Sequence, residues 1–211
     1  MARQIPQSSR ALHRYAVLTA AATLCLIVAG GLVTSTDSGL SVPDWPLSYG
    51  TWMPPMVGGI AIEHGHRMIA GVVGMLIGVL AVGLSRREPR PWVRRLGAAA
   101  LGGVIVQALL GGLTVVLLLP PAVSVAHACL GQSVWGLTAV LALATSPRWP
   151  AAAAHPELGG RARVLLGAVF GQLLLGAIVR HSGRLFWWHA GGAFAVVCAA
   201  AWTLAGTAAG S

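Results

Sequence analysis

The sequence predicts an all-α protein, a polytopic bundle of six transmembrane helices, and three observations carry that expectation. Of its 211 residues, 56% are hydrophobic and only 9% charged, against about 25% charged in a soluble domain; mean hydropathy is +0.76. The apolar residues gather in six runs, each near the roughly 20 residues needed to cross a hydrocarbon core. All twelve prolines lie outside these runs, as unbroken helices require where no water can satisfy a freed carbonyl.

The first run, 15–33, follows a basic N-terminal segment as a signal peptide would. It is longer than the roughly 7–15 apolar residues of a cleavable signal, so it reads as a retained first span. The others are 62–84, 96–119, 123–145, 164–179 and 187–206. The longest connection, 34–59, carries Asp37, Asp44, Trp45, Tyr49, Trp52 and four prolines. It reads as an ordered interfacial cap over a site, or more plainly as an aromatic belt at the membrane surface. A weak internal repeat is visible: Gln107 with Gly111-Gly112-Leu113-Thr114 parallels Gln172 with Gly176-Ala177-Ile178-Val179. Gly30 to Val33 before Ser38-Gly39 likewise parallels Gly176 to Val179 before Ser182-Gly183.

Fourteen basic residues, all arginine, against five acids give a net charge of +9. In a soluble chain that would suggest nucleic acid, but these arginines punctuate apolar runs, so the partner is membrane lipid. Arg3, Arg10 and Arg14, then Arg86, Arg87, Arg90, Arg94 and Arg95, then Arg148, Arg161 and Arg163 share one side; Arg67, Arg180 and Arg184 take the other. The positive-inside rule puts both termini in the cytoplasm and the 34–59 loop outside. Cys25, Cys129 and Cys198 fall inside spans; they read as small buried residues, with no loop disulfide framework.

Ionisable residues in or beside hydrocarbon are functional candidates by default. Glu63, His66 and Arg67 are spaced i, i+3 and i+4 and share one helical face, with His64 about 100° away. His127 and His189 lie early in spans four and six, so three helices present imidazoles in one layer. Imidazoles from facing helices of an apolar bundle suit bis-histidine haem ligation. Gly65, Gly71, Gly74, Gly78, Gly131 and Gly136 would give a flat ligand clearance. The plainer alternative makes each histidine a hydrogen-bonded interfacial residue. Glu63 is either a proton-transferring carboxylate or the charge partner of Arg67. His13 and His155 fall in cytoplasmic segments and call for no role.

Several strings together resemble one family: Gly30-Gly31-Leu32-Val33, then Asp37-Ser38-Gly39-Leu40-Ser41-Val42-Pro43-Asp44-Trp45-Pro46-Leu47, Glu63-His64-Gly65-His66-Arg67, Leu110 to Val115, and Ala126-His127. They resemble the haem A synthase family of oxidase assembly. That resemblance implies an oxidoreductase of the bacterial inner (cytoplasmic) membrane that converts the C8 methyl of haem O to the formyl of haem A. It implies a catalytic Glu63, an adjoining Arg67 facing it or a propionate, and haem-iron ligands His66 and His127. It also implies a catalytic half over 1–146 and a partial second half over 147–211, where His189 would hold a haem b cofactor. The partners implied are haem O, an enzyme that makes it, an electron acceptor and a possible second copy of the chain.

Three departures from the family stand out. Val42 and Ser48 occupy places where many members have cysteines. The chain carries six spans where the family has eight, so the last two are expected to be missing. Of two expected second-half histidines only His189 matches, while His181 matches a loop position and reads as a surface residue. Two other readings remain: a non-catalytic bis-histidine haem-binding membrane protein or assembly factor, and a proton-coupled transporter.

Overall fold

A computed structural model describes residues 9–147 and 156–208, and in these every extended element is a helix: α1 (Arg10–Ser35), α2 (Gly58–Arg87), α3 (Pro91–Val116), α4 (Pro121–Ala144), α5 (Pro156–Ser182) and α6 (Phe186–Ala208). All six are long and apolar enough to cross a membrane, and the protein is a multi-pass membrane protein. The helices outrun the apolar runs. Pro91, Pro121 and Pro156 are therefore helical after all, as first residues, where the missing N–H has no helical partner to lose and the fixed φ is already suitable. Span three ends at Val116 rather than 119: Leu118 and Leu119 both take φ of +59°, and the Leu119 N–H closes the turn on the Thr114 carbonyl at 2.7 Å.

The chain divides into two compact units, Met1–Pro150 and Ala151–Ser211. In the first, α1 packs on α2 and α4, α2 on α3, and α3 on α4, which closes a ring of four antiparallel helices. The parallel helices α2 and α4 are diagonal partners whose N-termini share one end with the long α1–α2 connection. At the other end a dense core forms around Leu12, Leu80, Leu84, Val93, Leu141 and Ala144. Two polar ties close that end. His13, inside α1, meets the Ala142 carbonyl through Nδ1 at 3.1 Å. Arg90, paired with Glu88 at 2.6 Å, donates to the Ala144 carbonyl at 2.8 Å. His13 is thus a helix-packing residue, and His155 lies outside the described residues.

In the second unit α5 packs along α6. Arg161 lies 5.1 Å from the Trp202 ring centroid and donates to the Trp202 carbonyl at 3.0 Å. His181 belongs to the last turn of α5 and is half-buried. The three cysteines are free, and Cys25 and Cys198 are exposed. On a helix facing hydrocarbon an exposed cysteine meets lipid, so the expectation of burial was wrong for these two.

Candidate functional site

The α1–α2 connection is tied down on the N-terminal turns of α2 by one carboxylate, one guanidinium and one imidazole. Glu63 is only 3% exposed. Its Oε1 pairs with Arg67 Nη2 at 2.6 Å, and its Oε2 accepts the Val42 N–H at 2.8 Å. Arg67 spends its remaining donors on loop carbonyls: Nη1 donates to Asp44 at 2.7 Å and to Leu47 at 3.0 Å, and Nη2 to Val42 at 3.1 Å. A guanidinium is suited to this, with five donors in a fixed planar fork. His64, buried and one residue from Glu63, meets the buried Ser48 hydroxyl through Nδ1 at 2.8 Å.

Farther along the loop, Asp44 accepts the N–H groups of Gly50 at 2.8 Å and Tyr49 at 2.6 Å. Chiefly the Gly50 bond, then the Tyr49 bond and the nearby Arg67 charge, hold its carboxyl below the ordinary 3.8, against a smaller opposing effect of desolvation. The Tyr49 hydroxyl donates to the Ser41 carbonyl at 2.8 Å. The loop also docks on α3. A Cβ on Gly112 would lie 2.5 Å from the Trp45 indole, so the ring rests flat where α3 has no side chain. The 34–59 connection is thus held in place by its own hydrogen bonds and by α2 and α3, with Trp45, Tyr49 and Trp52 exposed as an aromatic belt would have them.

The three histidines share one local arrangement. A Cβ at Gly30 would come within 3.1 Å of His66 Cε1, one at Gly111 within 3.1 Å of His127 Cε1, and one at Gly176 within 3.0 Å of His189 Cε1. Each imidazole therefore leans on a glycine of the preceding helix. His66 and His127 belong to the diagonal helices of one ring; His189 belongs to the other unit. Of the glycines expected to give clearance, Gly65, Gly71, Gly74, Gly78 and Gly136 border open space, with nothing within 4 Å of a Cβ placed there, whereas Gly131 meets the Gln107 amide. Gly30 and the His64–Ser48 bond escaped the sequence reading. The Gly-Gly-Leu-Val string was the available signal for the first; nothing marked the second.

These groups suit an axially ligated macrocycle better than a bare ion. Among the described residues no three His, Cys, Asp or Glu side chains cluster to hold a metal ion. A porphyrin brings four equatorial nitrogens and needs only axial donors. His66 and His189 each keep a buried Nδ1 with no hydrogen-bond partner, a costly condition for a residue without a ligand.

Fold and site together define a polytopic membrane bundle in which diagonal helices present histidines beneath an ordered loop. The model of the COX15-CtaA family, described as cytochrome oxidase assembly protein, matches residues 13–58 and 59–195, and the chain belongs to that family. It is similar to the heme A synthase of Symbiobacterium thermophilum, 32% identical over 82% of this chain and 60% of the relative. The heme A synthase of Methylobacterium sp. (strain 4-46) is 32% identical over 73% of this chain and 43% of its own. That of Shouchella clausii is 36% identical over 51% and 36%. The chain thus spans roughly a third to three fifths of the relatives it matches. No solved structure matches it.

Proposed function

We propose that this chain acts as a haem A synthase, oxidising the C8 methyl of haem O to a formyl group for terminal oxidase assembly. The observation that supports the reading is that the diagonal helices α2 and α4 of one ring carry His66 and His127, each against a glycine of the preceding helix, with Glu63 and its bond to the loop one turn from His66. His66 and His127 would hold haem O, and His189 would contribute to a haem b site in the second unit. The iron supplies the redox chemistry when bound, with electrons passing to an acceptor elsewhere in the membrane. The remaining tasks fall to the protein. Water would supply the formyl oxygen, and the protons released with the electrons need a base. The α1–α2 loop would restrict solvent entry without abolishing it, Arg67 would fix that loop and the Glu63 carboxylate, and Glu63, one helical turn from His66, would take a proton released as the methyl group is oxidised. The arginine distribution supports cytoplasmic termini in the inner membrane and an external loop. A haem O-producing enzyme and a second copy of the chain complete the proposed partners.

One observation favours a second reading, a non-catalytic haem-binding assembly protein: both Glu63 oxygens are already engaged, by Arg67 and by Val42. Expression in a strain lacking its own synthase separates the two. Haem A in the extracted pigment supports the enzyme. Bound haem without haem A supports the assembly protein, and a membrane-accumulated chain with no visible haem absorption overturns both.

A further inference from the structure

His127 and His189 lie on different helices of different units, yet each is met by the same two residues of the preceding helix. Gln107 Nε2 donates to the His127 carbonyl at 2.9 Å, and Gln172 Nε2 to the His189 carbonyl at 3.0 Å. Four residues farther along, Gly111 and Gly176 lie against the imidazole rings. One turn of α3 and one turn of α5 therefore carry a glutamine that grips the histidine backbone and a glycine that admits its ring. The residue four before Gly30 on α1 is Leu26, so His66 has the glycine and lacks the glutamine.

The orientation of both amides follows from their partners. A carbonyl only accepts, so the amide nitrogen must face it; a flipped amide would set two acceptors together. At His127 the same Gln107 nitrogen lies 3.4 Å from the ring Nε2. That distance is long for a hydrogen bond, so the carbonyl bond is the contact that ties Gln107 to His127. The Oε1 atoms of Gln107 and Gln172 are buried and accept no hydrogen bond. A side chain that only filled space would do so without that cost.

We propose that Gln107 and Gln172 are positioning residues for metal-binding imidazoles: each anchors its histidine through the backbone carbonyl. This rests on the haem-binding reading above. The test is hemin titration of the purified full chain and its Gln107→Met variant, with low-spin electron paramagnetic resonance as the second readout. Met fills a similar volume without a donor. The expected result is hemin affinity lower by about tenfold or more and shifted low-spin g values, at unchanged helical content. Gln172→Met should do the same to the signal that His189→Ala removes. A wild-type chain that binds no hemin overturns the haem-binding reading itself, and this inference with it. Wild-type binding with unaltered spectra and affinity in both variants overturns the positioning role alone. Should Gln107→Met fail to accumulate, Gln107→Glu, which keeps the shape but turns an acceptor toward the carbonyl, takes its place under the same criteria. Failure of both to accumulate assigns Gln107 to folding and overturns the proposal.

Discussion

The Val42 N–H donates to Glu63 Oε2 at 2.8 Å, joining a loop backbone to a helix carboxylate 21 residues farther along the chain. With Arg67 on the other oxygen at 2.6 Å, the acid beside His66 is also part of the latch that holds the loop. The proposed proton acceptor and the tie that holds the loop are therefore one side chain.

Glu63→Gln separates the two roles. The amide oxygen can serve Arg67 or the Val42 N–H but not both, while Arg67 keeps its carbonyl acceptors on Val42, Asp44 and Leu47. The variant should accumulate in membranes and bind haem O, yet form haem A at least about 100-fold more slowly. Haem extraction and chromatography measure this. Wild-type output would remove Glu63 from the reaction, and loss of the protein from the membrane would make it a structural acid.

His66→Ala and His127→Ala should each lose the haem of the four-helix unit while leaving the helices in place. Haem-to-protein stoichiometry and the low-spin absorption bands measure the effect. Unchanged stoichiometry in both variants would contradict axial ligation by this pair.

Gly30→Ala and Gly111→Ala set helix stability against ligand geometry. Alanine raises helix stability by about 0.5–1 kcal/mol, but its methyl carbon would sit 3.1 Å from an imidazole carbon. Thermal unfolding should be unchanged or slightly later, with a shifted haem spectrum. A native spectrum in both would show that the rings have room to give.

Gly112→Ala puts a methyl 2.5 Å from the Trp45 ring, and the indole has to move. The loop should become more accessible to protease and Trp45 more accessible to a fluorescence quencher, with haem O bound less tightly. Cleavage and quenching at wild-type rates would mean that Trp45 does not hold the loop to α3.

Acid should loosen the loop through Asp44. Its carboxyl titrates below the ordinary value in the folded loop, so its contribution is fully present above the unfolded-state pKa of about 3.9. It is lost as pH falls through the lower folded value. Protease sensitivity of the loop in lipid nanodiscs should rise over that acidic window, and Asp44→Asn should flatten the dependence. An identical pH profile in the variant would assign the effect to another group.

The six helices were legible because their cause is local: an apolar run in a bilayer must satisfy its own backbone, and a helix does so within the segment. The shared face of Glu63, His66 and Arg67 was legible for the same reason, since helical spacing fixes it without any partner. The Gln-x-x-x-Gly repeat was visible in the sequence, but that its turns of α3 and α5 meet a histidine came only with the packing. Closure of the loop was of another kind. Val42 with Glu63, Ser48 with His64 and Trp45 with Gly112 join residues far apart in the chain, and no periodicity records such pairs. Nor could composition tell which of 28 glycines would lie against an imidazole, because a glycine marks a close approach only once the neighbouring helix is in place. That choice passed to the packing of α1 on α2 and of α3 on α4, which brought Gly30 to His66 and Gly111 to His127.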